Sequence, residues 1–353
     1  MLTAKQIDEI REHLEKAQNP IFYYDNDCDG LCSFLLFRRF LGRGKGVAIK
    51  SYPDLNSQYA RKAHELKADY VFVLDKPLIS KEFVEEIDKL QLPIVWIDHH
   101  AVFGNEEFDK APNFHVYNPA RAGKEKSFEP VTYLAYQITK RREDLWIAMM
   151  GCISDHFMPD FKEEFVERYP EFWKKGIEAP FDALYKTEIG KIAQALSFGL
   201  KDSITNVVTM QNFLISCNAP SEVLSEGKEN RAFREKYQEI KTKYKVLIDE
   251  AKRNLGKKLL FFEYGGDLSI SSELANELSF NYPDKYIAVA YHRGNIINFS
   301  IRGKNINAIL QKALKVCEGA SGGGHEDAVG ARIRNEHLVQ FRNALEKEIN
   351  NGN

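Results

Sequence analysis

Four short apolar runs alternate with helical patterns between residues 20 and 98, and three of the four end in aspartate. The runs are PIFYYD (20–25), GVAIKSY (46–52), YVFVLD (70–75) and PIVWID (93–98). Between them, GLCSFLLFRRFL (30–41), a segment near 57–67 and SKEFVEEIDKLQ (80–91) carry apolar residues at helical spacing. Strands joined through helices need right-handed crossovers, which predicts a doubly wound, mainly parallel sheet in an α/β domain. Ligands of such sheets lie beyond the carboxyl ends of the strands. Asp25, Asp75 and Asp98 are therefore expected to meet at one edge.

At 353 residues the chain exceeds one ordinary core, and two domains are expected. After FHVYNP (114–119) the pattern turns helical, including EDLWIAMMGCISDHF (143–157), an apolar helix closed by Asp155 and His156. Residues 160–226 read as mostly helical, and the charged helical pattern over 227–254 suits a link between domains. Beyond it KLLFFEYGG, KYIAVAYHR and NIINFSIRG read as strands, with helices SSELANELSF and NINAILQKAL between them and a closing helix at 335–349. The expected division is a domain over 1–195, a helical connector over 196–255 and a smaller α/β domain over 256–353.

Charge and cysteine usage narrow the function classes. With 49 basic and 51 acidic residues the net charge is -2, so a nucleic-acid partner would have to be met by a local patch or by bound metal. No run of about 18 apolar residues is present, and the N-terminal 18 residues form an amphipathic pattern without a signal-peptide core. No membrane association is expected, and the cytoplasm is the expected compartment. Cys28, Cys32, Cys152, Cys217 and Cys317 are an odd set without a CxxC pair, which fits a reducing environment and argues against a zinc knuckle.

Asp25, Asp27 and Asp29 occupy alternate positions of YYDNDCDG and are followed by Gly30. Carboxylates this close repel one another unless a cation sits among them. The same spacing opens an EF-hand loop, but that loop needs a glutamate at its twelfth position, where Leu36 stands, and a helix before it, where a strand is predicted. An Asx-rich turn between strand and helix is the plain alternative. The second element, WIDHH, puts Asp98, His99 and His100 directly after a strand at the same edge. Neutral imidazole with several carboxylates suits manganese, or magnesium with more bound water. So many carboxylates are neutralised better by two divalent cations than by one.

DNDCDG, VLD, IDHH, GCISD and GGGHEDAVG stand in the order found in DHH phosphoesterases that carry the DHH-associated C-terminal domain. The chain resembles this family, which includes RecJ exonucleases, nanoRNases and cyclic-dinucleotide phosphodiesterases, over nearly its whole length, and looks most like the short archaeal RecJ-like nucleases. The resemblance implies that Asp27 and Asp29 bind separate metals, that Asp75 bridges them, and that His99 and Asp155 complete one side. Asp25 would serve the other metal, at a place where relatives often have histidine. Another histidine of some relatives corresponds to Tyr23, a poor ligand for manganese. Asp98 and His100 are implied as catalytic groups beside the metals, His100 donating to a phosphate oxygen and Asp98 orienting a ligating histidine. Two divalent cations, Mn2+ best suited and Mg2+ next, imply phosphodiester hydrolysis without a protein nucleophile.

In SGGGHEDAVGARI, Gly322, Gly323 and Gly324 precede His325. Glycine lets backbone N–H groups approach a phosphate closely, although the stretch alone reads equally as a loop between helix and strand. In relatives this element faces the metals and holds the nucleotide, with Ser300 and Arg302 beside it and Arg302 suited to a bidentate phosphate contact. The expectation is a RecJ-like exonuclease on single-stranded DNA or RNA, a cleft between the two domains admitting one flexible strand. A helicase or replication protein is a compatible partner, as is a second copy of the chain. The alternative is a nanoRNase or small-nucleotide phosphodiesterase acting on dinucleotides or phosphoadenosine phosphate, which the near-zero charge favours mildly. A non-catalytic scaffold is disfavoured because Asp27, Asp29, Asp75, His99 and Asp155 are all present.

Overall fold

The structure, a computed structural model, describes residues 1–51, 54–101, 108, 111–122 and 129–351. It divides into two compact units, Met1–Tyr237 and Gln238–Asn353.

In the first unit Thr3 opens α1 (Ala4–Lys16) through reciprocal bonds with Gln6, and Ile10 and Leu14 form its buried stripe. β1 (Pro20–Asp25) is buried along its apolar run, as a central parallel strand requires. α2 (Cys28–Leu41) begins at Asp27, whose carboxylate accepts the Gly30 N–H at 2.9 Å, and ends at Gly42 in the left-handed region, φ 70°. Gly30 is required there, because a Cβ would fall 2.4 Å from the Asp25 carbonyl oxygen. β2 (Lys45–Ile49) stops short of the strand expected to 52, a residue outside those described. β3 (Tyr70–Leu74), α3 (Lys81–Lys89) and β4 (Ile94–Ile97) follow as the sequence predicts. β5 (Phe114–Tyr117) is a fifth strand that the sequence reading does not assign; its short FHVY run, broken by His115, carries too little apolar pattern.

Among the described residues these five strands form a parallel sheet in the order β2-β1-β3-β4-β5. The chain builds outward in both directions from β1, so the topological switch point lies between β1 and β3, where Asp25 and Asp75 stand. One face packs Tyr23, Val73 and Trp96 against Phe83 and Ile87 of α3. The other stacks Tyr24 on Phe34 of α2, ring centroids 5.2 Å apart, and Phe22 on Phe72 at 5.0 Å. α4 (Val131–Thr139) lies beside α5 (Leu145–Ser154), a helix apolar on every side and buried from Leu145 to Ile153. A Cβ at Gly151 would sit 2.1 Å from Thr132 Oγ1, so glycine is what allows α5 to close on α4. Helices Lys162–Arg168, Pro180–Lys186, Glu188–Gly199 and Ile204–Ser216 follow in this unit.

α6 (Arg231–Lys252) runs from one unit into the other, and the division after Tyr237 falls inside it. The second unit continues with β6 (Leu259–Tyr264), α7 (Ser271–Asn281), β7 (Tyr286–Arg293), β8 (Ile296–Arg302), α8 (Ile306–Leu314), β9 (Ser321–Gly324), β10 (Ala328–Arg334) and α9 (Leu338–Asn351). Its mixed sheet has the order β9-β10-β8-β7-β6, with only β6 and β7 parallel among the described pairs. Ile297, Phe299 and Ile301 pack against Ile306 and Leu310 of α8 and Phe341 and Leu345 of α9, a core separate from that of the first sheet. Gly322–Gly324 belong to the edge strand β9, not to a loop. All five cysteines are free and buried, and no described helix is long and apolar enough to cross a membrane.

Candidate metal centre

Asp75 leaves β3 in the left-handed region, φ 59°, with its N–H donating to the Ile97 carbonyl at 3.0 Å. Aspartate tolerates that conformation better than most residues with a side chain, and its use at a ligand-bearing edge is where such strain tends to be found. Its side chain is 3% exposed, and Oδ1 has no hydrogen-bond partner among the described residues. A buried acceptor in that state points to a group that the chain itself does not supply. His99 Nε2 lies 3.4 Å from this oxygen and 3.7 Å from Asp155 Oδ2. Two donor groups close to within 4.8 Å: Asp75 with His99 and His100, and Asp29 with His99 and Asp155.

Asp29 sits in the first turn of α2 but is held by α4. Its Oδ1 accepts the Thr132 N–H at 2.7 Å and its Oδ2 the Val131 N–H at 2.9 Å, while Thr132 Oγ1 donates to its carbonyl at 2.9 Å. A carboxylate against helix N–H groups is favourable, and the bonds fix which way it faces. Asp155 caps the end of α5, its N–H on the Gly151 carbonyl at 3.2 Å. Thr132 and Gly151, which sequence reasoning passes over, thus tie together the helices that present Asp29 and Asp155.

Asp98 is fully buried and grips His100: Oδ1 is 2.8 Å from the Nδ1 of that ring, and Oδ2 accepts its backbone N–H at 3.1 Å. Asn118, another residue without a sequence signal, donates to Asp98 Oδ2 at 3.0 Å and to the His100 carbonyl at 2.9 Å. The histidine oriented by Asp98 is therefore His100, whereas His99 is the ring inside both donor groups. Burial alone would lower the His100 pKa, but the Asp98 charge and hydrogen bond outweigh it and lift it to about 9.

The carboxylates crowd one another, and their pKa values are raised. Asp27 is hemmed in by protein atoms although part of it faces solvent; that lost hydration, then the charges of Asp25 and Asp29, pushes it up to about 8. Burial and Asp155 bring Asp29 to about 6, against the pull of His99 and Thr132. Burial, followed by Asp29, Asp27 and Asp25, holds Asp75 well above the carboxylate range, and burial raises Asp155. Carboxylate oxygens with one or two imidazoles, and a buried carboxylate oxygen without a hydrogen-bond partner among the described residues, fit a hard divalent cation such as Mn2+ or Mg2+.

Asp25 differs from the others: its Oδ1 is 2.9 Å from the ammonium of Lys76, a wholly buried lysine that sequence reasoning missed. Tyr23, in line with a histidine of some relatives, is core: its hydroxyl donates to the Tyr59 carbonyl at 2.9 Å. His156, which follows Asp155 at the end of α5, stacks on Phe181 with ring centroids 3.8 Å apart.

In the second unit Ser300, Gly330 and Gly323 share one register row across β8, β10 and β9, and Arg302 is opposite Ala328 beside the turn that carries His325. Ser300 Oγ is 2.9 Å from Ser271 Oγ, and Arg302 Nε donates to Asn276 Oδ1 at 2.7 Å, so both face α7. Gly323 has open space where a Cβ would be, and Gly324 has φ 144°.

The family model for the DHH family, N-terminal domain, matches residues 21–153, and that for the DHHA1 domain matches residues 255–351. No curated protein matches the sequence. Among solved structures, RecJ from Thermus thermophilus in complex with Mn2+ is similar over 98% of this chain and 54% of its own, with TM-score 0.68 and 14% identity. The chain thus spans about half the length of that RecJ. A DHH domain described as a member of the S1p family of ribosomal proteins matches over 98% of this chain and 89% of its own, also at TM-score 0.68 and 14% identity. An exonuclease RecJ bound to manganese matches over 99% and 95%, at TM-score 0.63 and 14% identity. Likeness at this identity is a likeness of fold.

Proposed function

The chain belongs to the DHH family, with a DHHA1 domain after its DHH domain, and on that premise we propose that it is a metal-dependent phosphodiesterase acting as a RecJ-like exonuclease on single-stranded DNA or RNA. The observation that carries the proposal is a pair of donor groups that share His99, one with Asp75 and His100 and one with Asp29 and Asp155, beside a buried Asp75 oxygen without a hydrogen-bond partner among the described residues. These four residues would hold a divalent cation. When bound, it supplies the Lewis acidity that draws charge from a phosphate and activates water. Asp27 lies beside them as a further carboxylate, and a second cation would need Asp25 as well.

The remaining roles belong to the chain. His100, with Nδ1 2.8 Å from Asp98 Oδ1, is the proton-bearing group offered to a phosphate oxygen, and Asn118 keeps the pair in place. Gly322–Gly324 and His325, with Ser300 and Arg302 two strands in, are the proposed hold on the nucleotide. On the same reading the protein works in the cytoplasm, with a helicase or replication protein, or a second copy of itself, as partner. A net charge of -2 favours short substrates, so hydrolysis of dinucleotides is the second reading.

The test uses DNA and RNA strands of about ten or more nucleotides, labelled at either end, beside a dinucleotide, with Mn2+, Mg2+ or chelator. Mononucleotide release from one end that chelator stops is expected. Cleavage of the dinucleotide alone would select the second reading, and intact substrates with both metals would refute both.

A further inference from the structure

Lys76 directly follows Asp75 and is wholly buried, a rare place for an ammonium group. Its Nζ donates to Asp25 Oδ1 at 2.9 Å and to the Ser51 carbonyl at 2.8 Å. Its own carbonyl accepts the indole N–H of Trp96 at 2.8 Å, which pins the main chain from the neighbouring strand. The lysine is fixed at both ends, and its charge faces the carboxylate that ends β1.

A two-cation site would need Asp25 as a ligand of the second ion, and the geometry runs against that. Asp25 already has a cation within hydrogen-bond distance. A divalent ion drawing on the same carboxylate would sit within a few ångströms of the ammonium, where like charges repel strongly because little water screens them. Pulling Asp25 away instead would strand a buried ammonium without its counter-charge. Tyr23 offers no substitute, since its hydroxyl is used on the Tyr59 carbonyl. Among the described residues, both groups of donors that lie within 4.8 Å of one another contain His99, and neither includes Asp25 or Asp27.

We propose that the Lys76 ammonium stands in for one of the two divalent cations: the chain binds a single divalent ion among Asp29, Asp75, His99 and Asp155, and Asp25 is the ion-pair partner of Lys76, not a metal ligand. The proposal rests on the metal-dependent reading above and replaces its expected pair of ions with one ion and one fixed side-chain charge.

The full chain, stripped with chelator and dialysed to equilibrium against Mn2+, tests it through bound manganese per chain and the electron paramagnetic resonance spectrum at saturation. About one Mn2+ with the spectrum of an isolated ion is expected. Two ions with an exchange-coupled spectrum would overturn the inference and leave the metal-dependent function standing; no bound manganese would sink that function as well. Lys76→Met, close in shape but uncharged, is expected to admit a second ion and show coupling, and a folded variant that stays at one counts against the stand-in role. If Lys76→Met does not fold by circular dichroism, Asp25→Asn decides: unchanged stoichiometry agrees with the proposal, and loss of an ion assigns Asp25 as a ligand and refutes it.

Discussion

Asp75 is the residue on which most of the centre depends. Asn keeps its shape, tolerates the left-handed backbone and removes only the charge, which makes Asp75→Asn a clean probe. Turnover is expected to fall more than about 100-fold with Mn2+ affinity falling alongside, while the melting temperature of the metal-free protein holds or rises because a crowded carboxylate has been discharged. Asp98→Asn acts one step back, through His100, and should cost about 10- to 100-fold in turnover with milder loss of affinity. Steady-state kinetics against manganese concentration separate the two, and equal effects would place Asp98 among the ligands. The acidic residues and histidines were legible because each stands at the end of a strand or helix, where an α/β sheet presents its chemistry. Lys76, Asn118 and Thr132 were not, because each acts on a partner far off in the chain: Lys76 on Asp25, 51 positions away, and Thr132 on Asp29, 103 away.

At the level of elements, the docking of α1 carries its own pH dependence. His13 lies against His115 of β5, centroids 4.2 Å apart, with Nδ1 3.3 Å from the Tyr70 hydroxyl of β3. Burial, then the positive charges of His115 and Lys16, lowers its pKa from 6.5 to about 4, against the pull of Glu9 and Glu12. The folded-state value lies below the unfolded one, so the stability that His13 contributes is full above pH 6.5 and drains as pH falls from 6.5 towards 4. The crowded carboxylates of the metal-free protein gain stability as they protonate over the same range, so the His13 contribution is read as a difference: from pH 6.5 to 4 the melting temperature of the native sequence should fall relative to that of His13→Phe, which keeps a ring against His115. Equal slopes in both proteins would remove His13 from the account. The polar neighbours of His13 in α1 suggest a surface residue. What corrects that is β5, a strand whose single histidine hides its period. Central strands were read easily because burial on both faces makes them unbroken apolar runs.

On the scale of the whole molecule, a charged amphipathic helix hides a boundary. The pattern over 227–254 has no Gly-, Pro- or Ser-rich break, and α6 continues through the point where the two units part, so composition gave no reason to divide it at Tyr237. Each unit nonetheless carries its own core, and every candidate ligand, from Asp25 to Asp155, lies in the first. A fragment of residues 1–252, cut after α6 so that the helix stays whole, should bind Mn2+ within about threefold of the full chain, a difference of only ~0.6 kcal/mol. If the proposed clamp is right, it should lose most of its hold on a labelled strand, because the glycine edge and Arg302 are gone. A second, overlapping fragment, residues 231–353, should melt in one cooperative step, since Phe299, Leu310, Phe341 and Leu345 close a core without help from the first sheet. Calorimetry with manganese and filter binding with the strand read the two outcomes separately. A folded 1–252 fragment that no longer binds Mn2+ would mean that the second unit furnishes a ligand, and the centre described at the switch point of the first sheet would then be incomplete.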